Sequence, residues 1–105
     1  MNLVRHRDYL LGFRPEDFHP KGTSNGDARA VAFNFNVTRV EYLGADRLIY
    51  GTLVGDFSDQ KVIARLPATV TVKIEPSKSY EFAVPERELR FFDKSSELRI
   101  APQHV

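Results

Sequence analysis

The sequence predicts an all-β domain of about eight short strands, closed or nearly closed into a small barrel or packed as a sandwich, with at most one short helical turn. Three observations carry this. Val, Ile, Phe and Tyr outnumber Ala, Leu and Met, with 8 Phe and 4 Tyr in 105 residues, a composition that suits a pleated surface better than a helix. Apolar residues alternate with polar ones in several separate segments, whereas no stretch of ten residues shows a helical apolar stripe. Turn residues punctuate the chain at the short intervals typical of barrels and sandwiches. A chain of this length has room for one hydrophobic core, so a single domain over residues 1–105 is expected.

Taken in order, Tyr9-Leu10-Leu11-Gly12-Phe13 is a short apolar run ended by Arg14-Pro15-Glu16-Asp17. Proline fixes its own φ and pushes Arg14 toward extended geometry. The same residue types open a helical turn, which is placed at residues 15–18. Residues 19–29 are polar, carry Pro20, Gly22, Ser24, Asn25 and Gly26, and hold no large apolar side chain. They read as a mobile surface loop. Val31, Phe33, Phe35 and Val37 then alternate with polar or small residues, so one face of this strand is core. After Thr38 the apolar positions move to Val40 and Tyr42. That change of parity is what a β-bulge produces, and it lets one long strand bend.

Leu43-Gly44-Ala45-Asp46 turns into a strand over residues 47–54, and residues 55–60 turn into another over 61–66. Further strands are expected at residues 69–75, with Val70, Val72 and Ile74 alternating, and at 80–84, with Tyr80, Phe82 and Val84 alternating. Short runs at 89–92 and 98–100 complete the set.

Charge and composition narrow the function. Lys plus Arg is 15 and Asp plus Glu is 14, so no long-range field gathers nucleic acid or anionic lipid. The phenylalanines sit on the core parity, and the charges of Glu86, Arg87, Glu88, Arg90, Asp93, Lys94, Glu97 and Arg99 cancel, so a nucleic-acid-binding strand face is disfavoured. With no cysteine there are no disulfides, thiolate metal sites or cysteine nucleophiles. No apolar run approaches the length of a membrane span, and none follows Met1 as a signal-peptide core, which points to a soluble chain without membrane insertion.

Catalytic signatures are absent from the sequence. No glycine is followed by lysine and no two are spaced Gly-x-Gly, so neither an ATP loop nor a dinucleotide fingerprint is present. His6, His19 and His104 lack ligand spacing and read as surface residues. The serines lie in predicted turns without a nucleophile elbow. Asp56 and Asp59 flank Phe57 as a solvated hairpin tip with nothing nearby to raise a carboxylate pKa. A chain without catalytic, cofactor-binding or metal-binding residues is expected.

Three ordered segments carry a resemblance: Leu11-Gly12-Phe13-Arg14-Pro15-Glu16, then Val40-Glu41-Tyr42-Leu43-Gly44-Ala45-Asp46, then Leu89-Arg90-Phe91-Phe92-Asp93. Together they resemble the C-terminal regulatory domain, of the transport-associated oligonucleotide-binding (OB) type, of ATP-binding subunits from ABC importers of the maltose and glycerol-3-phosphate type. That domain reads Gly-x-Arg-Pro-Glu, later Val-Glu-x-Leu-Gly, and finally Leu-His-x-Phe-Asp before a threonine-glycine turn. Here Arg90 stands for the histidine and Ser95-Ser96 for the last pair.

The resemblance implies an OB-like barrel excised from a longer cytoplasmic ATPase subunit, which would hold ATP and Mg and dock on membrane permease subunits at the inner face of the cell membrane. It implies pairing with the domain's own twin in the subunit homodimer, contact with regulatory proteins in some members, and no nucleic acid. Arg14, Pro15, Glu16, Glu41, Gly44, Phe92 and Asp93 are its interaction or structural-corner candidates. Pro15 sets φ there, and the Arg14 guanidinium is expected to fork onto carbonyls or a carboxylate of a neighbouring strand. Self-association of the separate domain is expected to be weak and to involve residues 40–46 and 89–93. The alternatives are a small oxyanion-binding module and, less favoured by charge, a nucleic-acid barrel.

Overall fold

The structure, a computed structural model, describes residues 1–23, 29–55 and 60–105. Eight strands form: β1 (Asn2–Arg5), β2 (Leu10–Phe13), β3 (His19–Pro20), β4 (Ala30–Leu43), β5 (Asp46–Val54), β6 (Lys61–Leu66), β7 (Ser79–Pro85) and β8 (Arg90–Phe92). They make two antiparallel sheets, ordered β1-β2-β8 and β3-β7-β4-β5-β6. The architecture is all-β and barrel-like, with a curled five-stranded sheet against a three-stranded one.

Alternation in β4 places Phe33, Phe35 and Val37 inside, and Phe13, Phe18 and Phe82 join them. Phe18 lies 5.0 Å from Phe35 and 5.1 Å from both Phe13 and Phe82, ring centre to ring centre, within the range of favourable tilted and edge-to-face pairs. The bulge lies between Val37 and Arg39, where the β4–β5 register shifts. Gly51, paired with Val37, makes it feasible: a Cβ there would stand 2.1 Å from the Asn36 carbonyl oxygen. Only a residue without Cβ lets the two backbones approach so closely.

Where the two sheets meet at β1 and β6, a side chain replaces the ladder. The Asn2 amide donates to the Ile63 carbonyl at 2.8 Å and accepts from the Ile63 N–H at 2.9 Å. Asn2 is the buried polar residue of the core region, at 8% exposure. Its amide satisfies both groups of an edge residue that would otherwise be left open.

Several expectations are corrected. A second 3-10 turn forms at Glu86–Glu88 besides the one at Pro15–Asp17, so there are two helical turns among the described residues. Pro85 is its N-cap, and the Glu86 N–H still donates to the Arg29 carbonyl at 3.1 Å before the Leu89 N–H closes the turn onto the Glu86 carbonyl. Residues 69–75 do not form a strand. The Val70 and Val72 carbonyls accept from the Arg47 guanidinium, both at 2.7 Å, so a cation takes the place of a ladder partner. Val70 and Ile74 still pack inward, while Val72 is exposed. Residues 98–100 reduce to one bridge, Phe92 to Arg99.

Residues 2–5, given no element from the sequence, form β1. His19 and Pro20, expected in the loop, pair with Ala83 and Phe82 of β7. Lys21 is also tied to β7, its N–H donating to the Glu81 carbonyl at 2.9 Å, while residues 24–28 of that loop and the tip at 56–59 lie outside the described residues.

Candidate functional site

The corner candidates begin at the end of β2. Pro15 occupies the first position of the 3-10 turn, the Arg14 carbonyl accepts from the Asp17 N–H at 3.0 Å, and Phe18 leaves the turn fully buried. The corner thus delivers an aromatic ring to the core. Its polar side chains face outward. The Arg14 guanidinium makes no hydrogen bond or ion pair among the described residues, and Arg14 and Glu16 are exposed, so the expected fork onto a neighbouring strand is not formed. The backbone and the proline define the turn.

Beside the corner an acidic cluster gathers. Burial, then Glu88 of the second 3-10 turn, then Glu16 raise the Asp17 pKa, against the smaller opposing charges of Arg14 and His19. His19, read from sequence as a surface residue, is half-buried, and its Nε2 is shut from solvent without a partner among the described residues. Its pairing in β3 against β7 draws it in.

The first and third resembling segments are neighbours. In the β2–β8 ladder Gly12 pairs with Arg90, Leu11 with Phe91 and Leu10 with Phe92. Phe92 covers Gly12, whose hypothetical Cβ would meet the Met1 sulfur at 2.7 Å and the Phe92 ring at 3.0 Å. Asp93 closes the strand: one carboxylate oxygen accepts from the N–H groups of Ser95 and Ser96 and from the Ser96 hydroxyl. These bonds, the Ser96 ones foremost, hold its pKa below the usual carboxylate range.

Glu41 and Gly44 belong to the other sheet, in the β4–β5 hairpin. Gly44 takes φ +59° at the first loop position, where a two-residue hairpin favours glycine. Arg39 stacks 4.2 Å from the centre of the Tyr50 ring, and the Tyr50 hydroxyl donates to Glu41 at 2.7 Å. That hydrogen bond, with burial and the Glu41 charge, raises the phenol pKa against the pull of Arg39. Arg39 and Glu41 approach to 3.7 Å. At the tip, Tyr42 is 72% exposed and Leu43 51%.

A separate recess has Val31, Leu89 and Phe91 as its floor and Arg29, Arg87 and Arg99 at its rim, with Glu86 and His104 beside them. Among the described residues no group of three or more His, Asp or Glu side chains could hold a metal ion, and no helix is long and apolar enough to cross a membrane. Sequence reasoning missed Asn2, Gly51 and Arg47, whose roles depend on strands distant along the chain. The signal for Gly51 was a glycine in the middle of a strand pattern, which marks close backbone approach.

Fold and surfaces together define an all-β, barrel-like domain with an ordered corner and a protruding hairpin. No protein-family model matches the chain, and no curated protein matches it.

Proposed function

We propose that this chain is a non-catalytic regulatory and dimerisation domain of the ATP-binding subunit of an ABC importer for sugars or glycerol phosphate. The observation that supports this reading is the ordered set of three motifs, two of which meet as adjacent strands, with Gly12 opposite Arg90. In this reading ATP and Mg are handled by the parent's ATPase domain, at the cytoplasmic face of the membrane beside permease subunits. The barrel holds its twin near between ATP cycles, by raising effective concentration, and regulators that prefer one arrangement shift the cycle. The coding sequence upstream of Met1 tests it. A phosphate-binding glycine loop with its lysine is expected there, and a stop codon immediately before Met1 overturns the proposal. The chain alone is expected to give no heat of ATP binding in calorimetry, and micromolar affinity would contradict that.

A second reading, an oxyanion-binding module, is favoured by the recess with Arg29, Arg87 and Arg99 at its rim. Calorimetry with molybdate and with inorganic phosphate decides it, since binding abolished by Arg29→Ala with Arg99→Ala would support this reading over the first.

A further inference from the structure

We infer that the outer edge of β4 near its hairpin end is a self-complementary pairing surface, which takes the same edge of a second copy as an antiparallel strand. The inference rests on the reading above only for the choice of partner; the edge itself follows from hydrogen-bond directions. Leu53 N–H donates to the Gln60 carbonyl, so in β5 the residues of that parity face β6, and Tyr50, Leu48 and Asp46 face β4. Their register partners are Arg39, Glu41 and Leu43. The backbone groups of Val40 and Tyr42 therefore point away from β5.

On that side β7 covers β4 only from Ala30 to Asn36, and the loop residues Ser77 and Lys78 extend the cover to Val37. Beyond Val37 no backbone hydrogen bond reaches β4 from outside its ladder with β5 among the described residues. The N–H and C=O of Val40 and Tyr42 form an open edge, the arrangement that templates strand pairing.

The side chains fit a second copy about a two-fold axis at Glu41. Val40 then lies opposite Tyr42 of the other chain, twice, which matches every open donor with an acceptor and gives two β-branched to aromatic cross-strand pairs. On the opposite face Glu41 stands opposite its own equivalent, a like-charge pair that is disfavoured by itself and is offset here because each carboxylate lies 3.7 Å from Arg39 of its own chain, with the other chain's Arg39 on the diagonal. Two carboxylates and two guanidiniums gather there with no net charge. The exposed Tyr42 and Leu43 supply the apolar contact.

Sedimentation of the full chain from micromolar to millimolar concentration tests this. Wild type is expected to pass from monomer to dimer, and Tyr42→Pro, which deletes one outward N–H, is expected to weaken pairing at least tenfold while keeping the wild-type melting temperature. The chain has no cysteine, so Glu41→Cys is expected to oxidise to a covalent dimer faster than Glu97→Cys, an exposed control on another turn. Should Tyr42→Pro melt early, the cysteine comparison decides. A chain monomeric throughout, Tyr42→Pro pairing as wild type does, or Glu41→Cys coupling no faster than the control overturns the inference. Pairing that survives Tyr42→Pro would reject this edge yet leave the functional reading standing, whereas a stop codon before Met1 would reject that reading yet leave the edge.

Discussion

Asp17 and Asp93 respond to pH in opposite senses, for reasons visible in their neighbours. Asp17 loses water and faces Glu88 and Glu16, so its folded pKa lies above the ordinary value of 3.8. A raised carboxylate favours the folded state when protonated, and that stability is lost as pH rises through the folded value. Asp17→Asn is therefore expected to melt higher than wild type at neutral pH, with the gap closing below the ordinary Asp range. Asp93 accepts hydrogen bonds from Ser96 and Ser95, and its pKa is lowered. Its contribution exists above the unfolded value and disappears as pH falls through the folded one. Asp93→Asn should melt lower at neutral pH and match wild type in acid. Thermal melts across pH check both, and parallel curves for either variant would contradict the assignment.

Elements were legible in the sequence where the signal is local. The alternation of Val31, Phe33, Phe35 and Val37 is the core face of β4, and the parity change after Thr38 is the bulge. Phe35→Ala should destabilise by about 3–5 kcal/mol, since it empties a fully buried site among aromatic rings. Gly51→Ala should destabilise by about 1–3 kcal/mol or more, because the added methyl meets backbone and not a movable side chain. Denaturant titration reads both. What was not legible depended on partners distant in sequence. Val70, Val72 and Ile74 alternate as a strand would, yet Arg47 takes the carbonyls a neighbouring strand would have used. His19 opens a polar stretch of the sequence, yet β7 draws it inward. Of the candidate site, the corner and β8 could be placed by their turn residues. The failure of Arg14 to form its fork could not, because that depends on where other strands end.

For the molecule as a whole, one amide supplies the hydrogen bonds between β1 and β6 among the described residues. Asn2 holds β1 to Ile63 of β6 with two hydrogen bonds, donor and acceptor alike. Asn2→Ala strands both backbone groups, at about 1–3 kcal/mol for each that stays buried. Asn2→Asp keeps the acceptor and loses the donor. Hydrogen exchange at the Ile63 amide should accelerate strongly in the alanine variant and less in the aspartate one, while the Phe35 amide keeps the protection of the global fold. Equal acceleration at both positions would mean that the seam and the core open together.

The bulge at Thr38 separates two properties that usually travel together in a strand. Deleting Thr38 would leave Val37 facing in, Arg39 out and Val40 in, so every side chain would keep its side. What the extra residue adds is curvature alone. A shortened β4 would run straighter with its binary pattern intact, and the five-stranded sheet would no longer carry β6 round to Asn2. The chain would have the same inside and outside, written on a flatter page.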